Sequence, residues 1–123
     1  MPREVDYSLA RRAVLRGLHT GAADRLEVCD AHPELLRAAR HIGEVAAREC
    51  PVCGGDELRI VSYVYGDGLR QANGTCIASP AELAKLDRTH DEFSRYVVEV
   101  CLGCRWNHLQ RHELHGRRHR RTG

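Results

Sequence analysis

Cys50-Pro51-Val52-Cys53-Gly54-Gly55 and Cys101-Leu102-Gly103-Cys104, with 47 residues between Cys53 and Cys101, are the stretches whose reading decides the fold. A C-x-x-C turn aims two thiolates at one point, and two such turns supply the four sulfurs of a tetrahedral shell. Each turn adjoins a strand pattern. Leu58-Arg59-Ile60-Val61-Ser62-Tyr63-Val64-Tyr65 follows the first, with Leu58, Ile60 and Val64 on one parity and Val61, Tyr63 and Tyr65 on the other. Tyr96-Val97-Val98-Glu99-Val100 runs straight into the second. Antiparallel pairing of these strands brings the start of one and the end of the other to one edge of a sheet. Cys50, Cys53, Cys101 and Cys104 then face a common Zn2+ ion.

Other readings of four cysteines are reduced core thiols, a dithiol redox pair and an iron–sulfur site. The second pair, placed to complete four ligands, argues against the redox reading. Loop closure costs only about 0.6 kcal/mol per doubling of length, so the long insertion is compatible with a closed site. Four thiolates leave no open position for substrate, which assigns the metal to folding. The formal charge of such a centre is negative, and Arg48 and Arg105 are near enough in sequence to offset it.

The chain has 123 residues with one Trp, one Phe and one Met, enough for one modest domain that gains from a metal cross-link. It contains no run of 18 apolar residues, and Met1 through Tyr7 carries no apolar secretory core. The expectation is a soluble, cytoplasmic protein without a membrane partner, where six cysteines call for a reducing-compartment explanation.

Helical patterns flank the strands. Residues 5–19 place Val5, Leu9 and Ala13 on one face and Val14 and Leu18 on an adjacent one. Pro33 to Ile42 offers Leu35, Leu36, Ala39 and Ile42 as an apolar stripe, with Asp30 or His32 near its start. Ser79-Pro80-Ala81-Glu82 has a capping serine, a first-turn proline and a glutamate able to reach back. The expected fold is α+β: a zinc-ribbon-like antiparallel sheet with N-terminal helices and a helix inserted between the two cysteine turns. Its expected divisions are a helical extension at 1–49, a ribbon at 50–110 and a basic His/Arg-rich tail at 111–123.

Charge is uneven. Residues 1–104 carry 13 Lys or Arg against 16 Asp or Glu, whereas 105–123 carry 6 against 1. Arg105, Arg111, Arg117, Arg118, Arg120 and Arg121 are therefore candidate contacts to a partner, with Trp106 able to stack on an unpaired base or to pack over the fold. Nucleic acid, or an assembly containing it, is one partner class; an acidic protein surface is the other.

Catalytic patterns are weak. Cys29-Asp30-Ala31-His32 sets a thiol near an imidazole, but sequence proximity does not make a thiolate–imidazolium pair, and Cys29 and Cys76 also read as small buried side chains. His108 with His112 and His115 with His119 have helical metal-ligand spacing, without a carboxylate motif to complete a second site. His90-Asp91-Glu92 lacks a shared helix face, and the Gly66-Asp67-Gly68 and Gly17–Gly21 segments lack a phosphate-loop signature. The expected role is noncatalytic, with a thiol-dependent enzyme as the minor alternative.

Cys50-Pro51-Val52-Cys53-Gly54 before one strand and Cys101-Leu102-Gly103-Cys104 after another are similar to the zinc-ribbon superfamily. The wider pattern, including Val5-Asp6-Tyr7, the run Val28 to Ala39, Tyr65-Gly66-Asp67 and Trp106-Asn107-His108-Leu109, resembles a small uncharacterised family of high-GC Gram-positive bacteria. The superfamily resemblance implies the four cysteines as ligands and, because ribbons serve transcription and translation machinery, a nucleic-acid-associated role. The N-terminal extension and the insertion depart from a compact ribbon.

Overall fold

The computed structural model describes residues 3–119, so Arg120 and Arg121 lie outside the described residues. Chain order is β1 (Glu4–Asp6), α1 (Ser8–Thr20), α2 (Arg25–Val28), α3 (Pro33–Ile42), β2 (Glu44–Val45), β3 (Leu58–Tyr65), β4 (Thr75–Ile77), α4 (Pro80–Thr89), β5 (Phe93–Cys101) and β6 (Asn107–His115), with short 3-10 turns at Asp67–Ala72 and Arg117–His119. The fold is α+β. One six-stranded sheet runs β1-β6-β5-β3-β2, with β4 also on β3 and every pairing antiparallel.

The helices form where local chemistry supports them. His32 Nδ1 accepts from the Glu34 amide and Pro33 opens α3; Ser79 Oγ accepts from Glu82 N at 3.3 Å and Pro80 opens α4. The Glu82 carboxylate reaches back to Ala78 N at 2.9 Å, one residue beyond the capping serine. The 5–19 helix of the sequence reading starts later, at Ser8. Val5 instead pairs with His112, because an open β6 edge satisfies the backbone of Glu4–Asp6.

Both faces of the sheet are covered in part. Val61 and Val100 pack under α3 with Leu35, Leu36 and Ala39. On the opposite face, Leu58, Cys101 and Trp106 meet Val14 and Leu15 of α1, while Val64, Ile77 and Phe93 meet Leu83 and Leu86 of α4. This period-two sorting is the alternation read in the sequence.

The sequence boundary at residue 110 is corrected. Residues 111–115 belong to β6, the central partner of β5 and β1, rather than to a tail. Its pattern hid it: His108, Gln110, Arg111, His112, Glu113 and His115 are polar, yet every residue of the strand is half-buried. Aromatic stacking covers part of it, with His112 on Tyr96 at 4.4 Å and His115 on Phe93 at 5.5 Å. A bulge at Gln110, between the pairs Val97↔Arg111 and Val98↔Leu109, also breaks the alternation. Gly116 then turns the chain at φ 113°, where a Cβ would lie 2.4 Å from Asp91 O.

Charges hold the layers in register. Glu99 of β5 is fully buried and takes two bonds from the Arg11 guanidinium, with Arg48 Nη2 3.5 Å away. A buried carboxylate requires such partners. Arg11→Ala is expected to cost about 3–5 kcal/mol by leaving the buried Glu99 to Arg48 alone, and Glu99→Gln in that background should recover part of the loss in denaturant unfolding.

Glu113 joins Arg95, Arg111 and His115 at 2.7–3.0 Å. Burial alone would raise its pKa, but the bonds from His115 and Arg111 and the charge of Arg95 outweigh it and hold the group at about 2. A depressed carboxylate contributes stability that is full above its ordinary value of 4.5 and is lost as pH falls toward 2. The melting temperature of wild type should therefore fall more steeply across that window than that of Glu113→Gln, the difference isolating this group from others titrating there.

Candidate metal centre

The register Leu58↔Cys101 puts the loop before β3 beside the end of β5. In the first turn Cys50 N donates to Gly55 O and Gly54 N to Cys50 O, both at 2.9 Å. In the second, Cys101 N donates to Trp106 O and Arg105 N to Cys101 O, at 2.8 and 2.9 Å. Leu102 N also donates to Glu57 O at 3.0 Å, which ties the two turns together. Gly54 and Arg105 occupy left-handed conformations at φ 72°, and at Arg105 a non-glycine residue bears that strain.

The four sulfurs lie within 4.8 Å of one another. Cys50 to Cys104 and Cys53 to Cys101 are each 3.7 Å. A tetrahedron with metal–sulfur bonds of about 2.3 Å has edges of about 3.8 Å, so the site has the dimensions of a four-thiolate centre. Cys50 and Cys101 are buried, Cys104 half-buried and Cys53 exposed.

Local donors and burial act on these thiols in opposite directions. Burial pushes Cys50 and Cys101 up and Cys104 to about 12, whereas the Gly55 amide lowers Cys53. Cys50 Sγ accepts from Val52 N and Cys53 N at 3.4 and 3.5 Å, and Cys53 Sγ from Gly55 N at 3.4 Å. These amides orient the sulfurs, and a bound divalent cation supplies the charge that deprotonates buried thiols.

The nearby arginines are placed differently from the sequence expectation. Arg48 pairs with Glu99, and Arg105 donates from Nη2 to Ala31 O at 2.7 Å, fastening the start of α3 to the second turn. Arg25 stands one helical turn before Cys29, whose amide donates to its carbonyl at 2.8 Å. Hydrogen bonding to Cys29, outweighing a small burial penalty, and the nearby Cys104 raise its pKa. Sequence reasoning missed it because Arg25 stands 25 residues before Cys50.

Trp106 is fully buried beside Cys50, Leu58 and Cys101 and stacks on His108 at 5.8 Å, so its ring is packing material and is closed to a base. Its indole Nε1 finds no acceptor among the described residues. Arg111 bonds Glu113 at 2.8 Å and lies 3.5 Å from Glu4. Arg117 meets Asp91 at 2.9 Å and Arg118 meets Glu92 at 3.7 Å, both pairs largely exposed.

The histidines are each engaged locally. His112 bonds Ser94, His115 lies between Glu113 and Asp87, and His119 bonds Glu92. The helical spacing read for them does not apply, because His108, His112 and His115 stand on a strand. Among the described residues, the four cysteines form the one group of three or more His, Cys, Asp or Glu disposed to hold a metal.

A family described as "Family of unknown function (DUF5318)" matches residues 2–123. The chain belongs to DUF5318. It is 42% identical over 105 residues to "Uncharacterized protein Rv0049" of Mycobacterium tuberculosis and equally to "Uncharacterized protein Mb0050" of Mycobacterium bovis, covering 85% of this chain and 76% of theirs. No solved structure matches it. No helix among the described residues of this DUF5318 chain is long and apolar enough to cross a membrane.

Replacing a buried ligand should undo the DUF5318 fold more than replacing an exposed one. Cys101→Ser is expected to abolish metal retention and cooperative unfolding, and Cys53→Ser to leave weaker binding. Native mass spectrometry and thermal melts of reduced, metal-replete protein read both.

Proposed function

We propose that this DUF5318 chain is a noncatalytic, zinc-stabilised binding module that associates with nucleic acid or with an assembly containing it. The observation that carries the first part is the closed set of four sulfurs at tetrahedral spacing, which leaves no open coordination position for a substrate. Soft thiolate donors in that geometry favour Zn2+. The turns at Cys50–Cys53 and Cys101–Cys104, each adjoining a strand, support a ribbon-like centre within a larger sheet.

The nucleic-acid reading draws on the end of the chain beyond β6. Arg117 and Arg118 are held by solvent-facing ion pairs to Asp91 and Glu92, pairs worth about 0–1 kcal/mol that phosphates can replace. Arg120 and Arg121 follow them in sequence. Because residues 107–115 are a central strand, the surface is tested by removing 117–123 only. Zinc content should remain one per chain. Affinity for single-stranded RNA or DNA, read by fluorescence anisotropy, should fall about tenfold and lose part of its salt dependence. Unchanged affinity and salt slope in the shortened chain would refute this surface.

A protein-binding adaptor is the second reading, favoured by the part of the sheet that α3 leaves open. Tyr63, Tyr65, Tyr96, Val98 and Leu109 line a shallow apolar surface there, with Tyr65 45% exposed. Capture of the same protein from nuclease-treated and untreated extracts, lost on Tyr65→Lys, would select it over nucleic acid.

A further inference from the structure

Cys29 stands beside the centre without belonging to the four-sulfur set. It follows α2, where its amide donates to Arg25 O at 2.8 Å, and its Sγ lies 3.9 Å from Cys104 Sγ. That separation nearly equals the 3.7 Å between ligand sulfurs. Cys29 and Cys104 are both half-buried, between the buried Cys50 and Cys101 and the exposed Cys53 in accessibility.

Cys29 is one helical turn from an open surface cleft. Arg25, exposed and one helical turn before Cys29, lines an open cleft of about 770 Å³ with Leu15, Asp24, Glu27, Pro51 and Val52. A partly exposed thiol is open to oxidation, whereas a buried structural one is inert. Cys29 also keeps its sulfur lone pairs free when the other four are engaged by a metal. Cys76, the remaining spare thiol, is on β4 under α3 and stands opposite Tyr63.

We infer that Cys29 and Cys104 form an oxidation site at which a peroxide-class oxidant creates a disulfide and withdraws Cys104 from the metal shell. The Cys29 sulfur, giving its proton to solvent, attacks one peroxide oxygen; the O–O bond breaks, and Cys29 becomes a sulfenic acid as hydroxide leaves and is protonated to water. The Cys104 thiolate then attacks the sulfenic sulfur. The S–S bond forms, the S–O bond breaks, and the second hydroxide departs. Two electrons pass from the two sulfurs to one peroxide. Closing 3.9 Å to the roughly 2 Å of a disulfide requires a short movement at the end of α2. Three thiolates remain for the metal, and the first helices become covalently joined to the second turn.

This inference rests on the zinc reading, and its test separates the two. Reduced, zinc-loaded full chain is treated with hydrogen peroxide while a chromogenic chelator follows zinc release and mass spectrometry maps linked peptides. The expected result is a Cys29–Cys104 peptide, two hydrogens lighter than its parts, appearing in step with zinc release and reversed by dithiothreitol. Cys29→Ser should still bind one zinc and release it about tenfold more slowly under peroxide, with Cys76→Ser matching wild type. Release from Cys29→Ser at the wild-type rate, or linkages confined to Cys50, Cys53, Cys101 and Cys104, overturns the inference. Zinc content before treatment tests the metal reading alone, and the wild-type peptide map decides the disulfide even if Cys29→Ser folds poorly.

Discussion

Two turns far apart in sequence converge because β3 and β5 pair with Leu58 opposite Cys101. The rest of the structure depends on that register. A slip of one residue would turn Cys101 to the other face and move it away from Cys50 and Cys53. The sulfur cluster and the sheet therefore specify each other: pairing assembles the ligands, and ligands joined by a metal lock the pairing. Trp106 and Leu58, both fully buried, fill the space under the second turn, while Val14 and Leu15 close it from α1. In a domain of this size such a cross-link offsets the small apolar core.

Charge burial is the second organising constraint. Glu99 lies on the same sheet face as Cys101 and has no exposure, so α1 and the segment before Cys50 must deliver Arg11 and Arg48 to it. The same principle reshapes the basic C-terminal region. Arg111 is consumed by Glu113 and Glu4, while Arg117 and Arg118 are matched to the acidic turn before β5. The composition of 105–123 thus overstates the positive surface of that region, because its counter-charges come from Glu4, Asp91 and Glu92.

The four-cysteine cluster and the two surfaces proposed for partners are separate. α1, α2 and α3 enclose the turns, with Arg105 pinning Ala31 to the second of them. The tyrosine-bearing area of the sheet and the Arg117–His119 turn lie toward the opposite ends of the long strands. That separation fits a metal that maintains shape while contacts are made elsewhere.

Much of this was legible because it is local. The C-x-x-C spacing, the alternation in Leu58–Tyr65, the Pro33 and Pro80 helix starts and the Ser79 cap each depend on residues within a few positions of one another. The strand Asn107–His115 was not legible: its polar side chains gain their burial from Tyr96, Phe93, Arg95 and Val5, all distant in sequence. Cys29 was read only as a spare thiol near His32 for the same reason, since only the fold carries it to Cys104. By itself the sequence determined which four sulfurs share a centre and which segments become its helices and principal strands, because turn chemistry and side-chain period are short-range properties. Tertiary structure alone decided the role of Trp106, the ion pairing of Arg117 and Arg118 and the placing of the fifth thiol, because each is set by neighbours that meet only when the sheet closes.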